Sequence, residues 1–352
     1  MEGDIGPIMV GVEGTELDAA ERELLRHPRV GGVILFTRNF ESAAQLAALT
    51  REIHELRDPP LLIAVDQEGG RVQRLREGFT LLPPLSVFGR MHAEAPERAA
   101  ALAETCGWLM AMEMRSVGID LSFAPVLDLH RGVSSVIGSR AFAADPHVVA
   151  ALASRYVSGM RRAGMPATGK HYPGHGSVAE DSHLALPVDP RPWERIEAED
   201  LVPFAHLARQ GLEAMMVAHV RYSAVDERLA GFSPFWLQEV LRGRLGFDGA
   251  IISDDLLMAA AEGAGDVPER AIAAFDAGCD MVLVCRGLES AAAAADRIAD
   301  WRPAPQSAAR LARLRPRGAC PNRDELHSLT AWREAAAVAA ELEKEERCKD
   351  ES

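Results

Sequence analysis

The segment Ala250-Ile251-Ile252-Ser253-Asp254-Asp255 places two carboxylates directly after a short, continuous apolar run. A continuous run, unlike an alternating one, is typical of a strand that is buried on both faces of a parallel sheet. Other runs of this kind occur along the chain and predict further strands, at residues 8–12, 32–36, 61–65, 121–126, 166–170, 214–218 and 281–284. The sequence therefore predicts eight buried, parallel strands.

Helical patterns separate these predicted strands, which is the alternation expected of an α/β fold. The predicted helices cover residues 43–56, 98–117, 146–163, 234–245 and 268–277. Two of them carry clear end signals: Asp145 precedes Pro146 at the start of one, and Gly278 follows the end of another. Aspartate at the N-cap, proline at the first helical position and glycine after the last position are typical of helix termini.

Polar side chains follow most of the predicted strands at their carboxyl ends. They are Asp66 with Gln67 and Glu68, Asp128, Lys170 with His171, His219 with Arg221, Asp254 with Asp255, and Arg286. A doubly wound sheet would gather such groups mainly near one switch point, whereas a closed barrel spreads them around one rim. We therefore predict an α/β fold of one domain. Residues 1–300 would form a (β/α)8 TIM-type barrel, and residues 301–352 a partly helical C-terminal extension with a charged tail.

The composition argues against several functional classes. The 352 residues carry a net charge of −14, whereas binding to nucleic acid phosphates requires a basic surface. The N-terminus lacks the basic and apolar regions of a signal peptide, and no apolar run is long enough to span a bilayer. The five cysteines form neither a disulfide pattern nor a zinc motif. We expect a cytoplasmic protein with reduced thiols that binds neither nucleic acid nor membrane.

The segment from Lys170 to His183 concentrates titratable groups between residues that disfavour regular structure. Its fourteen positions hold one lysine, three histidines and one aspartate, with Pro173 and two glycines between them. Such a segment makes a poor helix, and a poor strand beyond His171, so we predict a loop. Catalytic side chains often lie on loops of a rigid scaffold. The pair of Asp181 and His183 is the strongest candidate, because a carboxylate beside an imidazole can orient the ring and raise its basicity.

Three further sites leave more than one interpretation open. One of the acids Asp254 and Asp255 could cap a helix, whereas a second acid at a barrel mouth suggests a nucleophile, a base or a metal ligand. Asp66 and Arg74 could bracket a hydroxylated ligand or form a salt-bridged loop. Arg140 lies between apolar residues, where it either pairs with an acid in a structural role or reaches into the site.

Six short segments together resemble glycoside hydrolase family 3. They are Asp-Gln-Glu-Gly-Gly-Arg-Val at 66–72, Phe-Ala-Pro-Val-Leu-Asp at 123–128, Arg-Ala-Phe at 140–142, Lys-His-Tyr-Pro-Gly-His-Gly at 170–176, Asp-Ser-His at 181–183 and Ser-Asp-Asp-Leu at 253–256. The resemblance extends over about residues 5 to 290, in the family's order. Within the family, the chain is most similar to the bacterial single-domain β-N-acetylglucosaminidases of peptidoglycan recycling.

The resemblance implies a role for each matching residue. Asp254 would be the nucleophile, and His183, paired with Asp181, would be the acid/base. The sugar-binding positions of the family correspond to Asp66, Arg74, Arg140, Lys170 and His171. The chain departs from its relatives at Ser139, where they usually have aspartate, and at Val217, where they often have proline.

The implied reaction is retaining, exo-acting hydrolysis of terminal β-linked N-acetylglucosamine. The implied substrates are peptidoglycan fragments, namely N-acetylglucosaminyl-1,6-anhydro-N-acetylmuramic acid with or without its peptide, and the implied enzyme is a monomer without cofactor or metal. One alternative is a phosphorylase, in which phosphate replaces water. Another is a non-catalytic sugar-binding protein, which would not account for the pair of Asp181 and His183. A third is a metal-dependent barrel hydrolase with ligands drawn from His171, His175, Asp181, His183, His219 and Asp254.

Overall fold

The protein is built around one parallel sheet. The computed structural model describes residues 5–180, 182 and 185–350, without the side chains of residues 349 and 350. Its eight strands are numbered β1 to β8 in chain order: Ile8–Gly11, Val30–Leu35, Leu62–Val65, Leu121–Ser122, Thr168–Tyr172, Ala214–Val217, Ala250–Asp255 and Met281–Val284. Consecutive strands pair with each other, and β8 pairs with β1. Parallel bridges from Ser122 to Ala167 and from Val126 to Lys170 connect β4 with β5. The sheet thus forms a nearly closed ring, and the predicted barrel is confirmed.

Helices surround this barrel. The α-helices are numbered α1 to α12 in chain order: Ala19–Arg26, Ala43–Glu55, Ser86–Glu94, Pro96–Ser116, Pro146–Arg162, Trp193–Ala198, Leu201–Arg209, Val267–Ala277, Leu288–Arg297, Ser307–Ala312, Arg323–Ser328 and Thr330–Asp350. Four of the five predicted helices are present, with ends that differ by at most two residues from the prediction. Within the described part of the chain, no helix combines the length and the apolar character that a membrane span requires.

The fifth predicted helix, at residues 234–245, is a π-helix instead, Phe235–Arg244. Trp236 lies in its first turn, fully buried, and packs against Tyr172 and Tyr222. The hydroxyl of Tyr172 donates a hydrogen bond to the main-chain carbonyl of Trp236 at 2.9 Å. This carbonyl therefore has a hydrogen-bond partner outside the helix. Helices can widen to π-turns where a side chain bonds to a main-chain carbonyl in this way.

Helix ends follow the sequence where its signals were clearest. The side chain of Asp145 accepts a hydrogen bond from the main-chain N–H of His147 at 2.8 Å, and Pro146 is the first residue of α5. Helix α8 ends at Gly278, whose φ of 122° lies in the region that only glycine adopts readily. A Cβ atom at this position would also collide with the side chain of Gln238. Both predicted termini are confirmed.

The bounds of strands β5 and β4 depart from the prediction. Strand β5 continues to Tyr172, so the prediction of a poor strand beyond His171 is wrong. Tyr172 is fully buried, and its carbonyl accepts a hydrogen bond from the N–H of Ala218 at 2.8 Å, which extends the pairing with β6. Strand β4 ends at Ser122 instead of residue 126, because Pro125 has no N–H group with which to continue the ladder.

Side chains alternate between two apolar layers along the strands. In β8, Met281 and Leu283 belong to the cluster that fills the barrel, whereas Val282 and Val284 belong to the layer between the strands and the helices. All four are buried. Because both faces of each strand are covered in this way, the strand sequences are continuous apolar runs and not alternating ones.

The C-terminal segment closes one end of the barrel. Leu311 and Leu314 are buried together with the residues that fill the barrel, and α11 and α12 pack against α4. Asp280, which directly precedes β8, accepts hydrogen bonds from Arg242 Nη2 at 2.6 Å and from Ser307 Oγ at 2.5 Å. This buried carboxylate therefore links the segment to the barrel. The division of the chain at residue 300 stays a prediction.

We expect the Asp280→Ala variant to lose about 3–5 kcal/mol of its free energy of unfolding, because the change leaves the buried charge of Arg242 without its partner. Chemical denaturation measures this loss. The matched control is Asp276→Ala, which removes an exposed carboxylate from α8 and should change the free energy of unfolding by less than about 0.5 kcal/mol. Equal losses in the two variants would contradict the role assigned to Asp280.

Candidate active site

A cavity of about 770 Å³ lies at the carboxyl ends of the barrel strands. Six of the predicted site residues line it: Asp66, Arg74, Arg140, Lys170, His171 and Asp254. They come from different parts of the chain, and the barrel brings them together because parallel strands all end at the same rim. The other two predicted site residues, Asp181 and His183, lie outside the described residues. Ser182, which stands between them in the sequence, is buried and lines the cavity.

Lys170 is the central cation of the site. Its ammonium group lies 2.7 Å from Asp66 Oδ1 and 2.7 Å from Glu68 Oε1, and the side chain is only 2% exposed. Burial disfavours the charged form, but the two carboxylates outweigh this effect and raise the pKa of Lys170 above its usual value. Lys170 is therefore a charged hydrogen-bond donor at the wall of the cavity.

Arg140 is held by Glu68 in a two-pronged ion pair. Its Nε and Nη2 atoms lie 2.8 Å from the two carboxylate oxygens, and Nη1 donates to the carbonyl of Val136 at 3.1 Å. Burial of Glu68 opposes ionisation, yet Arg140 and Lys170 hold the pKa of this carboxyl well below its usual range. Both interpretations of Arg140 are thus correct: it pairs with an acid and it lines the cavity. The pair also shows how Arg140 is held beside Ser139.

Glu68 was missed as a site residue by the sequence analysis. The signal was available, because Glu68 follows Asp66 by two positions at the carboxyl end of a predicted strand. What the sequence could not show is that two cations from distant segments converge on this one carboxylate.

Asp66 and Arg74 form an ion pair at the cavity wall, with 3.4 Å between Arg74 Nη2 and Asp66 Oδ2. Burial alone would raise the pKa of Asp66, but Lys170 and Arg74 outweigh it and hold this pKa below its usual value. The salt-bridged alternative from the sequence is confirmed, and the two residues also line the cavity, whereas the binding of a hydroxylated ligand by them stays a prediction. An ionised carboxylate here can accept hydrogen bonds from ligand hydroxyls, and the guanidinium can donate them.

His171 is fixed from behind by Asp128. Its Nδ1 atom lies 2.7 Å from Asp128 Oδ2, and its main-chain N–H donates to the same oxygen at 3.2 Å. The other carboxylate oxygen accepts the main-chain N–H of His175 at 2.6 Å. The ring of His175 is buried, and its Nε2 atom lies 3.2 Å from Ser182 Oγ. The sequence analysis noted Asp128 as a polar strand end but did not assign it to the site.

Asp254 and Asp255 have different surroundings although they are adjacent. Asp255 Oδ1 accepts the main-chain N–H groups of Leu257 and Cys285, each at 3.1 Å, so this carboxylate holds the turn after β7. Burial and the neighbouring Asp254 raise the pKa of Asp255, against the effect of these two N–H groups. Both acids lie within β7 and neither caps a helix.

Asp254 lines the cavity, as does Asp255. Its Oδ1 atom accepts the main-chain N–H of Asp255 at 2.9 Å. Its main-chain carbonyl accepts a hydrogen bond from Ser253 Oγ at 2.7 Å, and the N–H of Leu283 donates to the same hydroxyl at 3.1 Å. In the described part of the chain, no hydrogen bond engages Asp254 Oδ2. The backbone is thus anchored while one carboxylate oxygen stays available for a ligand.

His219, at the carboxyl end of β6, is completely buried and stacks on Phe232 with 5.4 Å between ring centroids. Burial lowers its pKa, and the nearby Asp254 and Asp255 oppose this effect. Neither ring nitrogen makes a well-formed hydrogen bond with a described residue. Across residues 5–180, 182 and 185–350, no group of three His, Cys, Asp or Glu side chains is arranged to hold a metal ion.

Comparisons with known proteins place the chain in a family. The model of the glycosyl hydrolase family 3 N-terminal domain matches residues 6–310. The chain belongs to glycosyl hydrolase family 3. It is 58% identical over 331 residues to a beta-hexosaminidase of Alkalilimnicola ehrlichii, with 94% of each chain covered. It is 56% identical over 339 residues to a beta-hexosaminidase of Thioalkalivibrio sulfidiphilus, with 96% of this chain and 97% of the relative covered.

A solved structure supports the same assignment. NagZ from Neisseria gonorrhoeae, in complex with N-trifluoroacetyl-D-glucosamine, is 42% identical to this chain and superposes with a TM-score of 0.90. The match covers 97% of this chain and 99% of that one. The predictions of family 3, of a glycoside hydrolase and of a barrel fold are confirmed.

We expect the Glu68→Gln variant to hydrolyse an aryl N-acetyl-β-glucosaminide with a kcat/KM about 10- to 100-fold below that of the wild type. The neutral amide cannot balance the charges of Arg140 and Lys170, and loss of a charged hydrogen-bond partner costs about 1.5–3 kcal/mol. Steady-state kinetics measures this loss.

The matched control is Glu113→Gln on α4. Glu113 is equally buried and accepts hydrogen bonds from Thr80 and Trp332, but it does not line the cavity. This control should keep its kcat/KM within about twofold of the wild type, as expected for a change remote from the site. An unchanged Glu68→Gln variant, or an equal loss in the control, would contradict the role assigned to Glu68.

Proposed function

We propose that this family 3 enzyme is a retaining exo-β-N-acetylglucosaminidase that acts on peptidoglycan fragments, with N-acetylglucosaminyl-1,6-anhydro-N-acetylmuramic acid, with or without its peptide, as the substrate. The single observation that carries the proposal is the position of Asp254 in the same cavity as the predicted sugar-binding residues. One of its carboxylate oxygens has no hydrogen-bond partner among the described residues. The beta-hexosaminidase relatives support the choice of sugar. The cytoplasmic location and the role in peptidoglycan recycling stay predictions.

The cavity wall suits a neutral, hydroxylated ligand. The positive charges of Arg74, Arg140 and Lys170 are largely neutralised by the carboxylates of Asp66 and Glu68, which lie between them. Such a wall offers fixed donors and acceptors without a strong net charge. Sugar hydroxyls can both donate and accept hydrogen bonds, so they match this pattern better than an anionic group would.

Asp254 would act as the nucleophile. One oxygen attacks the anomeric carbon, and a C–O bond to the enzyme forms as the glycosidic C–O bond breaks. The leaving oxygen takes a proton from His183. In the second step neutral His183 takes a proton from water, the water oxygen attacks the anomeric carbon and Asp254 is released. Two inversions leave the anomeric configuration unchanged, as in other retaining glycosidases.

Asp181 and His183 would form the acid/base pair, as the resemblance implies. An imidazole has an unperturbed pKa of about 6.5, so both of its forms are available near neutral pH for the two steps. An aspartate beside it can fix the ring and stabilise the imidazolium. The cavity position of Ser182, between the two residues in the sequence, supports this assignment.

We expect a 5-fluoro derivative of N-acetylglucosaminyl fluoride to attach covalently to Asp254, because fluorine slows both steps while the good leaving group favours the first. Intact mass measurement and peptide mapping detect the adduct. The Asp254→Ala variant should form no adduct and should lose hydrolysis of an aryl N-acetyl-β-glucosaminide. Asp255→Asn, a change at the adjacent acid, should still be labelled at Asp254. Labelling at another carboxylate would refute the assignment.

The same assay separates the alternative reactions. A hydrolase forms product at the same rate with and without phosphate, whereas a phosphorylase requires phosphate and releases a sugar phosphate. A metal-dependent hydrolase would lose its activity after exhaustive chelation. Binding of N-acetylglucosamine without any turnover would favour a non-catalytic sugar-binding protein. We expect phosphate-independent, chelator-resistant hydrolysis.

We expect the His183→Ala variant to lose about 10²- to 10⁴-fold in kcat/KM on a substrate with a poor leaving group, such as the disaccharide. The loss should be much smaller on a dinitrophenyl glycoside, because this leaving group departs without a proton. Asp181→Asn should show the same trend to a smaller extent. His130→Ala, which removes an exposed histidine outside the cavity, is the matched control. Equal losses of the His183→Ala variant on all leaving groups would exclude His183 as the acid.

A further inference from the structure

Asp128 is a buried carboxylate that serves the site without touching the cavity. It follows β4, it is 0% exposed, and it is not among the residues that line the cavity. Among the described residues, its donors come from one short segment. Oδ2 accepts from the ring and the main-chain N–H of His171, and Oδ1 accepts from the main-chain N–H of His175. No catalytic step described above uses this carboxylate.

The carboxylate is ionised in this environment. Burial alone would raise the pKa of Asp128, but His171 and the main-chain N–H of His175 hold it below its usual value. A buried carboxylate without hydrogens can only accept hydrogen bonds. The ring nitrogen that faces it, His171 Nδ1 at 2.7 Å, must therefore carry a hydrogen.

The opposite side of the same ring meets a group that can only donate. Arg140 Nη2 lies 3.4 Å from His171 Nε2. A guanidinium has N–H groups and no acceptor, so an N–H at Nε2 would face another N–H. The two neighbours thus favour the same form, a neutral ring with its hydrogen on Nδ1 and a lone pair on Nε2. This lone pair faces the N–H of Arg140, and both residues line the cavity.

We propose that Asp128 is a positioning residue, whose carboxylate selects the Nδ1–H form of His171 so that Nε2 accepts a hydrogen bond from Arg140 and the ring and the guanidinium are held together at the cavity wall. Its second oxygen fixes the main chain at His175, and the ring of His175 in turn contacts Ser182. One carboxylate therefore positions both the sugar-binding ring and the start of the segment that continues to Ser182. The proposal rests on the proposed function in one respect, that His171 binds the sugar.

Ring nitrogen NMR on protein labelled with 15N-histidine tests the tautomer directly. The eleven histidines give separate patterns for Nδ1–H and Nε2–H rings, and a His171→Gln variant assigns the signal. We expect wild-type His171 to show the Nδ1–H pattern. Asp128→Asn should lose this pattern and should lower kcat/KM on an aryl N-acetyl-β-glucosaminide by about 10- to 100-fold.

Asp120→Asn is the matched control. Asp120 directly precedes β4, is also buried, and accepts a main-chain N–H from Ile63 at 2.8 Å, with His54 Nε2 at 3.1 Å. It thus makes the same kinds of contact at the other end of the strand, away from the cavity. This control should keep the His171 pattern and should stay within about twofold of wild-type kcat/KM.

Several results would overturn the proposal. They are an Nε2–H pattern at His171 in the wild type, an unchanged His171 pattern in Asp128→Asn, or equal kinetic losses in the two variants. The wild-type spectrum decides the tautomer even if Asp128→Asn does not fold. The spectrum needs no substrate, whereas a wild-type protein without β-N-acetylglucosaminidase activity would refute the proposed function. Failure of one is therefore distinguishable from failure of the other.

Discussion

The site depends on one buried carboxylate, Glu68, which holds the cations of two separate segments. Lys170 is buried and the Arg140 side chain is only 10% exposed, and neither could remain charged there without a counter-charge. Glu68 is placed by the short strand Gln67–Gly69 that follows β3, Lys170 by β5, and Arg140 by the 3-10 helix Gly138–Arg140. The barrel fixes the distances between these elements, and the charge balance fixes the side chains. The donors at the cavity wall are therefore already in place before a ligand arrives.

Main-chain hydrogen bonds also distinguish Asp254 from Asp255, two adjacent acids that look equivalent in the sequence. Asp255 is occupied by the main-chain N–H groups of Leu257 and Cys285, so it holds the turn after β7. Asp254 receives one N–H, and both acids line the cavity. The same chemical group thus has two main-chain donors at Asp255 and one at Asp254. A nucleophile must be free to reach the ligand, so the less constrained Asp254 is the better candidate.

The sequence predicted the barrel and several polar residues of the cavity wall, because both follow from local patterns. Continuous apolar runs mark strands that are covered on both faces, and a polar residue after such a run is brought to the common rim by the parallel arrangement. Glu68 and Asp128 could not be assigned in this way. Their roles depend on which distant cation or ring lies opposite, and no spacing in the sequence encodes that. The π-helix Phe235–Arg244 likewise carries a contact with a distant segment, the hydrogen bond from the Tyr172 hydroxyl to the Trp236 carbonyl.

Glu68 and Asp128 act on the same ring from opposite sides. Asp128 accepts from His171 Nδ1 directly, whereas Glu68 acts through Arg140, which faces Nε2. Rotation of the ring would break the contact with Asp128 and bring an N–H against the guanidinium. Both costs arise in a dry interior, where unpaired polar groups are most unfavourable. A flexible loop histidine would lack this double constraint. His171 lies near the end of β5, between two ionised carboxylates, and this position favours a fixed role in recognition of the ligand. Proton transfer is therefore left to a residue that these carboxylates do not constrain.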